Sequence, residues 1–394
     1  MNNKDTSLPL TVLLGVLFSF SALGTDLYVP ALPGVAEWFS APVSAAQLTL
    51  TTYFLGLALG QLLWGPLSDR HGRKPILLIA LLAMLAATAT VPFMESIGAV
   101  SAARFAQGLG MSGGVVVARS VVRDLHSHEQ AARLLSRMMV VFSVVPIAAP
   151  VAGAAIASAA GWQWIFWTYA ATAALVLIAV AAGLAETAPD ERRSAHPADI
   201  ARSFRLILGS RQFMAPFLIF LCSQIGILSW VTNSAFTLVR GSGVSTAAYG
   251  WMFAGVMLGQ ILGAWFSSRF VLRFGIARLL RAGAWLVLGG GAAAAAIAWS
   301  GMQHWLGMVL PFCVLLFGSA LIVSNATALA LSPFPQAAGA ASSLIGAIGF
   351  ACGALVSTGL GAAFDGTARP MATVAALAGL GAFLCERYLV RGKA

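Results

Sequence analysis

Twelve apolar stretches, separated by short polar segments, dominate the hydrophobic pattern of this 394-residue chain. Each stretch is about as long as the roughly 20 residues that a helix needs to cross a bilayer. The pattern therefore predicts an all-α membrane protein with twelve transmembrane helices. The predicted helices cover residues 9–34, 45–67, 75–94, 97–119, 134–158, 163–185, 213–237, 247–267, 278–299, 304–329, 337–361 and 369–389.

One long polar interruption divides these helices into two sets of six. It covers residues 186–211 and is rich in charged side chains. Apolar residues at helical spacing around Phe204, with arginines opposite, predict a short amphipathic helix at the membrane surface. We therefore expect an N-terminal six-helix bundle over residues 1–185, a linker over 186–211 and a C-terminal six-helix bundle over 212–394.

The two sets of helices share a sequence repeat. Residues 52–70 align with residues 251–269 at an offset of 199 residues, and both copies contain a Gly-Gln pair. A repeat of about half the chain is typical of transporters whose two pseudo-symmetric bundles enclose the transport site. In this alignment Ser268 replaces Asp69, which predicts that the second copy has lost an electrostatic role.

The distribution of lysine and arginine indicates the orientation in the membrane. The predicted loops on one side hold only Arg240 and Arg369, whereas most of the 23 basic residues lie on the other side. Because short basic loops stay in the cytoplasm, we expect both termini and the 186–211 linker there.

Composition excludes several other classes of protein. Charged residues are 9% of the chain, against roughly 25% in soluble domains. The formal net charge of +10 would suggest a nucleic-acid partner in a soluble protein, but these bases lie between apolar stretches. We therefore expect the lipid bilayer, and no nucleic acid, as the partner. The four cysteines lack metal-ligand spacing, and no catalytic set or cofactor motif indicates an enzyme.

Two ionisable residues lie within the predicted helices, where charge is costly and marks a functional site by default. Asp26 is the only acid well inside a helix, and Arg104 lies inside predicted helix 4. A buried carboxyl group that gains and loses a proton as water access alternates would couple transport to protons. Asp26 is the only obvious counter-ion for Arg104. The alternatives are an acid that reaches the outer interface and a structural pair between helices 1 and 4.

Residues 65–75, which read GPLSDRHGRKP, concentrate four charges between two apolar stretches. The segment resembles the loop signature between helices 2 and 3 of the major facilitator superfamily, and RFAQGLG around Arg104 resembles its helix-4 signature. The resemblance implies a secondary transporter with two six-helix bundles. It also implies a cytoplasmic gate: Asp69 facing the N-terminal end of helix 11, Arg73 pairing with Asp124, and Gly65 letting helices 2 and 11 approach. The alternative is that these charges only fix topology.

Residues 148–154 resemble the helix-5 signature of drug antiporters. Pro150 and Gly153 match it, whereas alanines replace two of its glycines. Small residues permit close helix approach and a proline can kink the helix, although ordinary packing explains them equally. The complete set of predicted gate residues is Gly65, Asp69, Arg70, Gly72, Arg73, Asp124, Pro150 and Gly153.

Other stretches, such as GTDLYVPALP at 24–33 and ARSVVRDL at 118–125, narrow the resemblance to the drug/proton antiporters that include bicyclomycin and chloramphenicol exporters. In that branch the acid that matches Asp26 handles protons and the arginine that matches Arg104 supports it. The resemblance implies the inner membrane of a bacterium, protons as coupling ion, no other cofactor, and a monomer. Candidate substrate-binding residues are polar or adaptable side chains within helices, for which core packing is the alternative. They are Tyr53, Phe142, Gln224, Trp230, Asn233, Met257 and Asn325.

The sequence thus predicts a proton-coupled multidrug efflux antiporter that exports small amphipathic compounds by alternating access. A dedicated exporter of nucleosides or short peptides is an alternative within transport. A transport-inactive membrane receptor or scaffold is an alternative of another class. The cost of Asp26 and Arg104 in the membrane argues against the scaffold.

Overall fold

The computed structural model describes residues 8–125, 128–188, 197–301 and 304–390. Within these ranges, twelve helical segments are long and apolar enough to cross a membrane. The prediction of an all-α protein with twelve transmembrane helices is therefore confirmed. A shorter helix that is not a span lies between the sixth and seventh spans, where the sequence predicted a short amphipathic helix.

The helices are numbered in chain order. A short turn joins α1 to α2 in the first span, and a 3-10 or π turn extends α4, α9 and α14 in the third, seventh and twelfth spans. Their bounds are α1 Leu8–Asp26, α2 Leu32–Trp38, α3 Val43–His71, α4 Arg73–Thr90, α5 Ile97–Leu125, α6 His128–Ala160, α7 Gln163–Gly183, α8 Pro197–Gly209, α9 Arg211–Ala235, α10 Thr246–Phe274, α11 Ile276–Trp299, α12 Leu306–Leu331, α13 Ala338–Ala362 and α14 Arg369–Cys385.

The second and eighth spans, α3 and α10, end in the same way. Each has 29 residues, and each is followed by a glycine in the left-handed region, Gly72 with φ 100° and Gly275 with φ 78°. Glycine lacks a Cβ and adopts this conformation at little cost, so it can end one helix directly before the next begins. These equivalent helix ends are 203 residues apart.

The repeat therefore has an offset of 203 residues, and the offset of 199 expected from the sequence was wrong by one helical turn. Residues four apart lie on the same face of a helix, so a shift of four still aligns small with small and apolar with apolar side chains. With the corrected offset, the counterpart of Asp69 is Leu272 rather than Ser268.

Paired glycines bring the repeated helices into backbone contact with their neighbours. Gly56 and Gly60 of α3 face the backbone of α5, and Gly259 and Gly263 of α10 face the backbone of α12. Spacing of small residues by four is a common device for close helix packing in membranes. The two pairs are also 203 residues apart, in agreement with the helix ends.

The two sets of spans meet along two seams, α3 against α13 and α6 against α10. We call the end of the bundle that carries residues 65–75 the motif end, and the other the opposite end. The surface helix α8 packs against α9 and α13, with Ile207 buried and Leu208 exposed. The site described next lies between and within these two sets of helices.

Candidate functional site

The first span breaks at Asp26. Helix α1 ends at this residue, and a short 3-10 turn over Val29–Ala31 leads into α2. Pro30 in that turn has no backbone N–H group to continue the α-helical pattern. Asp26 is only 7% exposed. The break therefore holds a carboxyl group inside a membrane-spanning segment.

The expected ion pair between Asp26 and Arg104 is not formed among the residues that the structure describes. Arg104 instead uses neutral partners. Its Nη2 donates to the backbone carbonyl of Gly24 at 3.0 Å, and its Nη1 donates to Gln107 Oε1. Asp26 was therefore the wrong counter-ion, because counting formal charges overlooks carbonyl groups and side-chain amides as acceptors.

Of the three aromatic rings around Arg104, two lie closest to it. The guanidinium carbon lies 4.1 Å from the ring centroid of Tyr53 and 4.6 Å from that of Tyr28. The negative face of an aromatic ring attracts a cation, most strongly where water is excluded. Arg104 is 1% exposed, so these rings replace much of its hydration.

Hydroxyl groups hold the two rings in place. Tyr53 Oη donates to the carbonyl of Ser21 at 3.0 Å, and Tyr28 Oη lies 2.9 Å from Thr49 Oγ1. We expected Tyr53 to face the substrate, but it is fully buried and packs on Arg104. In this conformation the Tyr53 side chain therefore contacts α1 and α5.

The other substrate-binding candidates do not gather at one site. Trp230 packs on Phe312 with ring centroids 4.9 Å apart, inside the second set of helices. Asn325 Nδ2 donates to Ser267 Oγ at 2.9 Å and so joins α12 to α10. The remaining members of the set are Phe142, packed on Phe18, the buried Met257 and the half-buried Gln224.

The seventh candidate, Asn233, joins the two halves at the opposite end. Gln47 Nε2 of α3 donates to Asn233 Oδ1 at 2.7 Å, and Ser357 Oγ of α13 donates to the Gln47 carbonyl at 3.1 Å. We call Gln47, Asn233 and Ser357 the polar clasp. All three are fully buried, so their hydrogen bonds join the two halves away from water at this end. Sequence reasoning missed Gln47, whose amide inside an apolar helix was the available signal.

The helix-5 residues of the drug-antiporter signature also lie at close crossings. Gly153 packs against the backbone of Leu27 in the turn after α1. The carbonyl oxygen of Pro150 lies against Gly250 of α10, where an added Cβ would be 2.8 Å from it. Gly250 allows α6 and α10 to meet without a side chain between them, which the sequence did not reveal.

At the motif end, Arg73 is the centre of a charged cluster. Its Nε lies 2.8 Å from Asp124 Oδ2, which is the pair that the resemblance implied. Its Nη1 donates to Ser68 Oγ at 2.9 Å and also bonds Asp69. The cluster ties the end of α3 and the start of α4 to the end of α5, all within the first half.

Glu186, which sequence reasoning missed, caps the N-terminus of α4. Its Oε1 accepts from the backbone N–H of Arg73 at 2.8 Å, and its Oε2 accepts from that of Lys74 at 3.2 Å. Partial burial alone would raise the pKa of Glu186, but backbone hydrogen bonds from Ala188, Arg73, Lys74 and Thr187 outweigh it, so this pKa is lowered. The carboxyl lies beside Gly72, where any side chain would displace it.

Two gate contacts expected from the resemblance are not formed in this conformation. Asp69 forms an ion pair with Arg73 and does not contact the first turn of α13. A cavity lies between Asp69 and that turn. Gly65 has Val116 of α5 as its neighbour, where an added Cβ would be 3.7 Å away, rather than α13. Gly65, Pro66 and Asp69 line a space between the halves here, although the halves still meet beside it through Arg119 and Ser342. Arg70 is exposed.

That space is a cavity of about 420 Å³ between α3, α5 and α13. Arg119 and Arg123 lie on its wall, and Arg119 Nη1 donates to Ser342 Oγ of α13 at 3.1 Å. The predicted helix 4 ended at residue 119, whereas α5 continues to Leu125. Arg119 therefore lies inside a span, and the spacing of the two arginines by four was the signal that both share one face.

Comparison with known proteins decides the family. A family model for the Major Facilitator Superfamily matches residues 14–358. The chain belongs to this superfamily. It is 30% identical over 380 residues to a bicyclomycin resistance protein homolog of Haemophilus influenzae, covering 94% of this chain and 93% of that protein. It is 26% identical over 345 residues to multidrug resistance protein D of Escherichia coli, covering 88% and 86%.

Solved structures of major facilitator proteins share the fold. The xylose transporter XylE of Escherichia coli, in a partially occluded inward-open conformation, matches with a TM-score of 0.72 at 15% identity, covering 99% of this chain and 98% of that one. A bacterial homologue of the human lysosomal transporter Spinster, in an inward-facing conformation, matches with a TM-score of 0.70 at 16% identity, covering 98% and 96%. The chain is therefore a multi-pass membrane transporter of this superfamily and not an enzyme.

Proposed function

We propose that this major facilitator protein exports small amphipathic compounds in exchange for protons, and that Asp26 carries the proton. The observation that carries the proposal is the position of Asp26: a buried carboxyl at the break between α1 and α2, without the expected arginine partner. A carboxylate held permanently by a guanidinium would have little reason to take up a proton. A carboxyl free of such a partner can exchange one.

Arg104 has a positioning role in this proposal. It donates to the carbonyl of Gly24, two residues before Asp26. This contact fixes the last turn of α1 and so the place at which the carboxyl is presented. Arg104 thus supports proton exchange without forming an ion pair with Asp26.

The relatives support the choice of solute. Two of them are named for bicyclomycin resistance and multidrug resistance, and both align over more than 85% of this chain. Resistance by a transporter requires that the compound leaves the cell. Outward movement of the solute against inward movement of protons is therefore the direction that we propose.

The closed opposite end and the cavity at the motif end fit one stage of alternating access. The polar clasp joins the halves at the opposite end, whereas a cavity lies between them at the motif end, bridged by the hydrogen bond from Arg119 to Ser342. Given the cytoplasmic orientation that the basic residues favour, this stage opens toward the cytoplasm, where a solute for export would enter.

The test is transport by purified protein in liposomes with an imposed pH gradient. Asp26→Asn keeps the size of the side chain and removes its titration. We expect it to abolish uphill transport to the level of empty liposomes while leaving downhill exchange of solute measurable. The control variant is Asp365→Asn, which neutralises an exposed acid in a loop at the opposite end. Native uphill transport by Asp26→Asn would rule out this residue as the proton carrier.

The substrate panel in the same liposomes distinguishes the alternatives. It contains bicyclomycin, chloramphenicol, nucleosides and dipeptides, and the readout is proton release on addition of each compound. Release with several unrelated drugs supports a multidrug exporter, and release with nucleosides or dipeptides alone supports a dedicated exporter. A protein that releases no protons and moves no compound would be a scaffold.

A further inference from the structure

The cavity at the motif end has a positive wall. Arg119 Nη1 donates to the hydroxyl of Ser342, and Arg123 Nη2 donates to Ser120 Oγ at 3.1 Å. Among the residues that the structure describes, neither arginine has an acidic partner. Asp69 also lies on the wall, but Arg73 holds it. Two guanidinium groups thus face the cavity without an ion pair, and the ring centroid of Phe18 lies 5.0 Å from the guanidinium carbon of Arg119.

The first turn of α13 adds to this positive charge. No side chain caps this end of the 25-residue helix, so its orphan backbone N–H groups carry partial positive charge toward the cavity. The Arg123 guanidinium lies against Gly339, where an added Cβ would be 2.6 Å from Nη1. A cation placed against a helix N-terminus is unfavourable, and an anion between them would relieve the repulsion.

A buried amide on the same wall lacks a partner. Gln61 is 2% exposed and lines the cavity, and its Oε1 accepts no hydrogen bond within the described part of the chain. An amide group can both donate and accept, and leaving it unpaired in an apolar region is costly. Because this oxygen only accepts hydrogen bonds, Gln61 suits a hydroxyl or N–H group of a polar ligand, beside the positive groups that suit its acidic group.

We propose that this cavity binds the acidic group of the exported solute, so that the substrates are small amphipathic molecules with one carboxylate or phosphate. This inference rests on the proposed export function. Guanidinium groups and helix N-termini are the groups with which proteins bind such anions. Leu62, Val116 and Phe204 supply an apolar wall for the rest of the molecule.

Binding of two matched fluorescent probes tests the proposal. Dansylglycine carries a carboxylate, whereas dansylglycinamide is neutral and otherwise nearly identical. The protein is placed in nanodiscs of neutral phosphatidylcholine, and binding is followed by dansyl emission. We expect dansylglycine to bind on the order of ten-fold more tightly than dansylglycinamide, because its carboxylate can form charge-assisted hydrogen bonds. Equal affinity for both probes would overturn the proposal.

Variants assign the preference to the cavity. Arg119→Gln and Arg123→Gln should each reduce the preference for dansylglycine several-fold, with dansylglycinamide affected little. The matched control is Arg273→Gln, which removes an exposed arginine at the end of α10, outside the cavity wall. If Arg273→Gln lowers the preference as much as the cavity variants do, the effect is general surface charge and the proposal fails.

An anionic lipid headgroup offers the same chemistry, so a second set of nanodiscs contains phosphatidylglycerol. If dansylglycine still binds there, the site takes the soluble anion as proposed. If the lipid abolishes dansylglycine binding to the native protein, the cavity is a headgroup site and the substrate assignment is overturned. These measurements need no pH gradient, so their failure is distinguishable from failure of proton coupling by Asp26.

Discussion

The importance of Arg104 was predictable from the sequence, whereas its contacts were visible only in the structure. Its position inside a helix identified it as important, because charge within the membrane is rarely incidental. Its partners could not be read from the chain, since a backbone carbonyl and two aromatic faces carry no formal charge. The chain contains many such groups, and only the packing of α1, α3 and α5 selects among them.

Loss of Arg104 should damage both stability and transport. Arg104→Ala leaves the carbonyl of Gly24 and the amide of Gln107 without their donor, at about 1–3 kcal/mol for each buried group left unpaired. Arg104→Lys keeps the charge but loses the planar fork, so it should retain part of the transport activity. The measurements are thermal unfolding in detergent and solute transport in liposomes.

The control for these variants is Arg278→Ala, which removes an exposed arginine at the start of α11. It should leave both measurements unchanged. Native stability in Arg104→Ala would show that the contacts with Gly24 and Gln107 contribute nothing measurable.

Among the helices, length and hydropathy were enough to predict the twelve spans, whereas their ends were harder to predict. Helix α5 extends six residues beyond the predicted end at residue 119, because Arg119 and Arg123 face a cavity rather than lipid. The polarity of a residue tells whether it avoids lipid but not what else it faces. The cap on α4 was likewise not predictable, because Glu186 lies more than 110 residues after the helix that it caps.

Removal of the α4 cap should lower stability in a pH-dependent way. Glu186→Gln weakens the hydrogen bonds to the N–H groups of Arg73 and Lys74, at a cost of about 0.5–1 kcal/mol because the carboxyl is exposed. The folded protein lowers the pKa of Glu186, so its contribution is present above the unfolded pKa, ~4.3, and is lost as pH falls through the lower, folded value.

The measurement is thermal unfolding of both proteins in detergent between neutral and acidic pH. The native protein should be more stable than Glu186→Gln at pH 7, and the difference should shrink toward pH 3. A constant difference across this range would mean that the charge of Glu186 plays no part.

The crossing of α6 and α10 gives a second prediction for a pair of helices. In Gly250→Ala the added methyl group would lie 2.6 Å from the Cβ of Ala154, so the helices must separate. Overpacking of this kind costs about 1–3 kcal/mol. The matched control is Gly255→Ala on the same helix, where nothing lies within 4 Å of the added Cβ.

Thermal unfolding of the two variants measures this difference. Gly250→Ala should lower the unfolding temperature, and Gly255→Ala should leave it unchanged or raise it slightly, because alanine favours a helix over glycine. Equal unfolding temperatures would show that α6 and α10 are not in close contact in the membrane protein.

For the whole molecule, the division into two sets of six helices followed from the sequence, but the contacts between the sets did not. The polar clasp joins residues 186 and 310 positions apart, and no local pattern specifies such pairs. The offset of the repeat was wrong by one helical turn, since small residues recur every four residues along α3 and α10. Only the helix ends determined its offset.

The polar clasp should set the balance between two conformations, one open and one closed at the opposite end of the bundle. Gln47→Leu removes the bonds to Asn233 and Thr232 while roughly keeping the side-chain volume. We expect the population to shift toward molecules open at this end. Paired spin labels, one at the start of α3 and one at the end of α9, would then report longer distances between the two helices at the opposite end of the bundle.

Thr168→Val is the control for the clasp, since the Thr168 hydroxyl is exposed and donates to the carbonyl of Trp164 within α7. Its distance distribution should match that of the native protein. The same native distribution in Gln47→Leu would show that apolar packing alone closes this end.

The 203-residue offset of the repeat has a consequence for the energetics of the cycle. The first and seventh spans, Leu8–Trp38 and Arg211–Gly241, obey the same offset, which makes Ser229 the counterpart of Asp26. Ser229 is an alcohol bonded to the carbonyl of Gly226 and does not titrate near neutral pH. If Asp26 carries the proton as proposed, the repeat supplies one titrating member and so one proton for each solute. Export of a neutral solute would then carry one net charge inward and that of a monoanion two, so the membrane voltage would add about 2.3 kcal/mol per charge at 100 mV to the driving force.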